Sequence, residues 1–162
     1  MKKIKTAWPW LLLSALIICL DQVSKHLVLA HVSALDVVRV LPFLNIILRL
    51  NAGAAFSFLG SESGWQIYLL SVISVVVSVV LVAWLSQLPR REWWIAAPVS
   101  LVLGGALGNL IDRIHYGYVI DFMDFHLFDW HFATFNIADA AVSVGATWLI
   151  VRVVYESLIG KP

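Results

Sequence analysis

Residues 65–88, WQIYLLSVISVVVSVVLVAWLSQL from Trp65 to Leu88, contain no Asp, Glu, Lys or Arg across 24 positions. A helix that crosses the hydrocarbon of a bilayer needs about 20 predominantly apolar residues, and this run supplies them. Trp65 sits at its start, where an amphipathic ring favours the membrane interface. Pro89 follows it and breaks the helix. Working outward, three further segments read the same way. One runs from about Ala7 to about Leu29, uncharged as far as Leu20, with Asp21 and Lys25 near its far end. Another runs from Trp93 to Ile111 and is ended by Asp112-Arg113. The last starts near Asn136 and continues to about Tyr155, with Asp139 near its start and Arg152 near its end.

Composition agrees with four spans. Of 162 residues, 61% are hydrophobic and 13% charged, and the mean hydropathy is +0.90. A soluble domain is about 45–50% apolar and about 25% charged. The excess is too large for one buried core, so lipid must be the solvent. The expected fold is an all-α membrane protein in one domain, 1–162. It has spans at about 7–29, 65–88, 93–111 and 136–155, and a small outer β-rich segment at about 31–64. Lys2, Lys3, Lys5, Arg90, Arg91 and Lys161 fall on one face of such a topology. That face is expected to be cytoplasmic, with both termini inside and segments 30–64 and 114–135 outside. A net charge of +1 gives no argument for nucleic acid.

Segment 31–64 is not a fifth span. Val37 to Pro42 and Leu44 to Leu50 alternate apolar and polar residues with β-branched content, which reads as short strands. Asn51 to Phe56 reads as a turn leading into an apolar edge. No internal repeat is visible, which weighs against transporters built from inverted repeats. The lone Cys19 excludes an internal disulfide or a cysteine metal cluster and reads as a small buried hydrophobe. A basic start, an apolar run and a cysteine could also form a lipoprotein signal peptide. Ile17 and Ile18 stand where such a signal needs small residues, and the later spans speak against a cleaved start.

The polar residues then carry the chemistry. Asp121 lies in VIDFMDF (119–125) and Asp139 in FNIADAA (135–141), both apolar surroundings. An ionisable group at a membrane segment is costly and is by default a functional-site hypothesis. Two carboxylates that converge can share one proton as an acid and base. Asp21 and Lys25, four apart, share a helix face. Asn51, Asn109, Asp112, Arg113, Asp121, Asp124 and Asn136 gather at the same outer end. His115, His126 and His131 lack zinc-ligand spacing, and Cys19 has no basic partner. Each residue also has a plain structural reading. Asp21 with Lys25 ties span one, and Arg113 snorkels from a helix end. Gly104, Gly105 and Gly108 let helices approach. Asp124 and Asp129 are solvated loop residues, and Asn136 caps span four. These patterns alone do not choose Asp121 over Asp124.

Five motifs, in order and spacing, resemble those of the lipoprotein signal peptidases (signal peptidase II). They are Asp21-Gln22-Val23-Ser24-Lys25, the stretch from Asn51 to Phe56, Gly104 through Arg113, Val119-Ile120-Asp121-Phe122, and Phe135 through Asp139. The resemblance covers nearly the whole chain. It implies an aspartyl endopeptidase of the bacterial inner membrane, cutting a diacylglyceryl-modified prolipoprotein just before its lipobox cysteine. It implies Asp121 and Asp139 as the catalytic pair. Asn51, Gly53, Asn109, Arg113 and Asn136 match substrate-site positions, and Asp21 and Lys25 match a supporting pair. It also implies sensitivity to the cyclic peptide globomycin. The expected partners are the lipidated prolipoprotein and membrane lipid, with no cofactor and no metal. A proton-coupled transporter would place its ionisable groups near the midplane, not at one end. A non-enzymatic membrane subunit would leave the two aspartates without a purpose.

Overall fold

The computed structural model describes residues 6–53, 64–128 and 130–159. Four helices are long and apolar enough to cross a membrane. They are α1 (Leu11–His31), α2 (Trp65–Gln87), α3 (Trp93–Tyr116) and α4 (Ile137–Ile159). A 3-10 turn at Trp8–Trp10, with Pro9 in it, leads into α1. The chain is a four-helix membrane protein carrying a small antiparallel sheet.

α3 is the central helix and packs against α1, α2 and α4. Close approach is possible because α3 is rich in small residues on its contact faces. A Cβ added at Gly105 would collide with the carbonyl oxygen of Ala138 on α4, so that crossing requires glycine. The outward faces stay apolar and bare: Leu12, Leu16, Leu20 and Leu27 of α1 are exposed, as a lipid-facing stripe should be. Cys19 lies among them and is exposed, which corrects its reading as a buried residue. An apolar neighbourhood in a span need not mean protein, because lipid satisfies it equally well.

One end of the bundle is closed by apolar packing. Ala7, Leu81, Leu85, Leu88, Ala96, Val99 and Leu103 form a buried cluster. The Ala7 N–H donates to the Leu88 carbonyl at 3.0 Å, and Arg152 reaches Glu92 at 4.0 Å. The start of α1, the α2–α3 turn and the later part of α4 therefore share one end.

The sheet lies at the other end. Its strands are β1 (Val38–Leu41), β2 (Leu44–Asn51), β3 (Val119–Leu127) and β4 (Trp130–His131), antiparallel in the order β1-β2-β3-β4. Strands were expected only within 31–64, and β3 lies far beyond it. Val119 to Phe122 are all buried, so the period-two pattern that marks a half-exposed strand is missing there. Its pairing partner, β2, is also remote in sequence. The third span likewise differs from expectation. It does not stop at Asp112-Arg113 but continues one more turn to Tyr116. Gly117, at φ 76°, ends it and donates its N–H to the Arg113 carbonyl at 3.1 Å. Asp112 is fully buried and satisfied by partners, so its charge does not end the helix; the left-handed glycine does.

Candidate active site

Asp121 sits on β3 and Asp139 in the first turn of α4, and two asparagines stand between them. The Asp121 carboxylate is 2% exposed. Its Oδ1 accepts from Asn136 Nδ2 at 2.7 Å and its Oδ2 from Asn51 Nδ2 at 2.9 Å. Asp139 Oδ1 accepts from Asn109 Nδ2 at 2.7 Å. Asn136 Nδ2 also reaches Asn109 Oδ1 at 3.1 Å and the Ile120 carbonyl at 3.3 Å. One continuous hydrogen-bond path thus joins the two carboxylates.

The start of α4 holds Asp139 in place. The Asp139 N–H donates to Asn136 Oδ1 at 2.9 Å, and the Asn136 N–H donates back to Asp139 Oδ2 at 3.3 Å. This is a capping box, which satisfies two backbone donors reciprocally. Reading Asn136 as a helix cap is therefore correct and incomplete, because the same side chain also grips Asp121. A further orphan donor of α4, the Ala138 N–H, is taken by Asp21 Oδ1 at 2.9 Å.

Behind the pair lies a buried ion cluster. Lys25 is fully buried, and its three N–H donors are all used. They go to Asp21 at 2.7 Å, Asp112 at 2.8 Å and Asn109 Oδ1 at 3.0 Å. A buried ammonium is tolerable only when paired and fully hydrogen-bonded, and this one is. The ion pair expected between Asp21 and Lys25 is present, and Asp112 makes it a triad. The sequence places Asp112 among the polar residues of this end and Gln22 within a motif, but assigns neither a role. Gln22 Nε2 donates to Asp112 Oδ1 at 2.8 Å and to the Gly108 carbonyl at 3.2 Å. Asp112 Oδ2 also accepts the Ile120 N–H at 3.1 Å, which fastens β3 to α3. The available signal was spacing: Asp112 lies three residues after Asn109, on the same helix face. Gly108 makes room for the cluster, since a Cβ there would come within 2.8 Å of Asp21 Oδ2.

The remaining expected residues fall around the pair. Gly53 has φ 100° and donates its N–H to Asn51 Oδ1 at 2.9 Å, orienting Asn51 toward Asp121. Residues Ala54 to Phe56 of that motif lie outside the described residues. Arg113 is half-buried in the last turn of α3 and lies in the field of Asp139, Asp112 and Asp121. It makes no hydrogen bond or ion pair among the described residues. Asp124 is not the solvated loop residue it was expected to be. It is 4% exposed on β3 and accepts from Asn45 Nδ2 at 3.1 Å and His131 Nδ1 at 2.8 Å. Asp129 lies outside the described residues.

Electrostatics separates the two β3 aspartates. Burial pushes the Asp121 carboxyl up from 3.8 to about 6; hydrogen bonds from Asn51 and Asn136 oppose this and the charge of Asp139 adds to it. Asp124 moves the other way. Burial would raise it, but the hydrogen bonds from His131 and Asn45 and the nearby imidazoles hold it below the usual carboxylate range. Of these two, Asp121 is the one shifted toward neutral pH.

Fold and site together define a four-helix membrane protein with a linked pair of carboxylates at one end of its bundle. Residues 13–155 match the family model described as signal peptidase (SPase) II. The chain belongs to that family and is a membrane peptidase of the signal peptidase II type. A lipoprotein signal peptidase of Coxiella burnetii (strain Dugway 5J108-111) is 57% identical over 150 residues, covering 93% of this chain and 92% of that protein. Another, from Pseudomonas aeruginosa (strain UCBPP-PA14), is 48% identical over 143 residues, 87% of this chain and 85% of that protein. A bacterial membrane enzyme solved by the in meso method at 2.3 Å resolution superposes with a TM-score of 0.83. It shares 29% identity and covers 94% of this chain and 92% of its own. A second such structure, at 1.9 Å, gives 0.82 at 29% identity over 99% of both chains.

Proposed function

We propose that this peptidase removes the signal peptide from diacylglyceryl-modified prolipoproteins, cutting just before the lipobox cysteine with Asp121 and Asp139 as its catalytic pair. The observation that carries this reading is the path from Asp121 through Asn136 and Asn109 to Asp139. It brings carboxylates from a strand and a helix to one place.

Asp121, raised to about 6 by burial, is the proton donor of the pair. Asp139 is the base of the pair; it sits in the first turn of α4 and accepts from Asn109. A water oxygen attacks the scissile carbonyl carbon while Asp139 takes the water proton. Asp121 gives its proton to the carbonyl oxygen. On collapse, the C–N bond breaks and the leaving nitrogen takes the proton from Asp139. The carbonyl re-forms and returns a proton to Asp121. Asn51, Gly53, Asn109 and Asn136 shape the substrate site around the pair. Arg113, without a partner among the described residues, is available for polar groups of the substrate. The acyl chains lie along the apolar helix faces beside the pair. Each buried methylene contributes about 0.8 kcal/mol, so the lipid anchors the substrate and sets the depth of the scissile bond. Globomycin would occupy the same site. The enzyme resides in the bacterial inner membrane with both termini in the cytoplasm and the sheet on the periplasmic side.

The test compares cleavage of a lipidated prolipoprotein with its unlipidated form in one detergent, using the parent protein, Asp121→Asn and Asp139→Asn. Cleavage of the lipidated form alone, lost in both variants, is expected. Equal cleavage of both substrates would remove the lipid from the mechanism. Normal turnover in either variant would remove the pair.

A further inference from the structure

The sheet carries a second polar cluster that the peptidase site does not use. Asp121 and Asp124 are three residues apart on β3, and neighbouring strand positions face opposite sides. Asp124 therefore points away from the catalytic face. Arg39, Asn45 and Asp124 are cross-strand neighbours on β1, β2 and β3. His131 stands opposite His126, with the two rings stacked at 5.2 Å. These side chains border a cavity of about 410 Å³, lined by Arg39, Asn45, His126 and His131 together with the apolar Val37 and Leu41.

The charges in this cavity suit an anion. The Asp124 carboxylate beside it is already committed to Asn45 and His131. With Nδ1 donating to Asp124, His131 keeps Nε2 for another partner. Arg39 makes no hydrogen bond or ion pair among the described residues. One guanidinium without a partner among the described residues and two imidazoles thus line the cavity beside a carboxylate that is already hydrogen-bonded.

The surroundings suit lipid. α1 ends at His31 and α3 at Tyr116, so β1 at Val38 and β3 at Val119 begin within a few residues of the span ends. The apolar residues that line the cavity are bare: Phe128 is 88% exposed, Val37 60% and Leu41 45%. An edge strand this apolar is an aggregation hazard in water; at a bilayer interface it is matched to its solvent. Phe128, at φ 55°, is held in the left-handed region that bulky residues avoid, and its ring projects from the β3–β4 turn beside the cavity.

We infer that this cavity binds the phosphate of an anionic phospholipid of the surrounding leaflet, with Arg39 and the imidazoles on the phosphate and the apolar rim among the acyl chains. Such a lipid would dock the outer sheet, and with it β3, onto the membrane surface. The inference rests on the membrane fold and does not require the catalytic assignment.

The experiment is native mass spectrometry of the full-length protein from detergent containing equal phosphatidylglycerol and phosphatidylcholine with identical acyl chains. Preferential retention of one phosphatidylglycerol is expected. Arg39→Gln and His126→Gln should each reduce that preference, by about fivefold for Arg39, with unfolding temperature in phosphatidylcholine micelles as the folding control. Asp121→Asn should keep the full preference, so failure of this inference and failure of the catalytic reading are distinguishable. Equal retention of the two lipids, or a preference untouched in both cavity variants, overturns the proposal. Displacement of phosphatidylglycerol by millimolar inorganic phosphate would make the site one for a free anion and overturn the lipid as its ligand.

Discussion

At one end of the bundle Leu81, Leu85, Ala96, Val99 and Leu103 pack as an apolar cluster. At the other, Asp21, Lys25, Asn109, Asp112, Asp121 and Asn136 are buried just as deeply, and they meet through hydrogen bonds and ion pairs. The apolar end is non-directional: loss of a methyl group leaves a cavity that neighbours can partly fill. The polar end is directional. Each donor has an assigned acceptor, so removing one member strands the others. The membrane-facing helices are thus held by packing, and the paired carboxylates are held by a network.

The largest break in that comparison is at the carboxylates. Asp121→Asn and Asp139→Asn should each lower prolipoprotein cleavage by roughly 10²–10⁴-fold while the protein still inserts, as read by gel-shift processing beside an unfolding curve. Asp124→Asn, on the opposite face of β3, should retain most activity; if it alone were inactive, the choice of aspartate would be wrong.

Lys25→Met tests the network itself. It leaves Asp21 and Asp112 buried without their cation, a loss of about 3–5 kcal/mol, and it should reduce turnover even at temperatures where the variant is folded. Leu85→Ala, at the apolar end, should cost about 2–4 kcal/mol and leave turnover of the folded fraction unchanged. Equal effects on turnover would erase the distinction between the two ends.

The pH dependence sharpens it further. The folded-state pKa of Asp121 is raised from 3.8 to about 6, so the folded state binds this proton more tightly than the unfolded chain does. Its contribution to stability is fully present below 3.8 and is lost as pH rises through about 6, a change on the order of 3 kcal/mol. Asp121→Asn removes that loss. The stability of this variant relative to the parent should rise between pH 4 and pH 7, measured as the difference in unfolding temperature. An amide nitrogen facing Asn51 or Asn136 shifts both ends of that curve equally and leaves its slope. A flat difference would place the proton elsewhere. Cleavage by the parent should decline as pH rises past about 6, where Asp121 gives up the proton it donates.

The smallest effect belongs to Arg113. Arg113→Ala should reduce cleavage of the lipidated substrate, and Arg113→Lys should restore it in part, leaving a deficit of about tenfold, because lysine lacks the planar fork of donors. Full rescue by lysine would mean that charge alone is used.

Much of this was legible in advance. Four spans, the gathering of polar residues at one end and the Asp21–Lys25 pair follow from hydropathy and helical spacing. What was not legible depends on long-range partners. Asp124 looked like a solvated loop residue because nothing nearby in sequence indicates Asn45, 79 positions away, as its donor. Cys19 looked buried because hydropathy does not distinguish a lipid-facing position from a protein-facing one.

By itself, the sequence determined that the chain spans a membrane four times. Transfer of a helix into lipid depends on the summed composition of about 20 consecutive residues, and no partner is needed to read it. Only the tertiary structure decided that β3 joins the sheet, that Asp112 completes the charge of Lys25, and that Asp121 rather than Asp124 faces the asparagines leading to Asp139. Those outcomes depend on hydrogen bonds between segments 15 to 90 residues apart, and directional contacts of that kind exist only once the helices have packed.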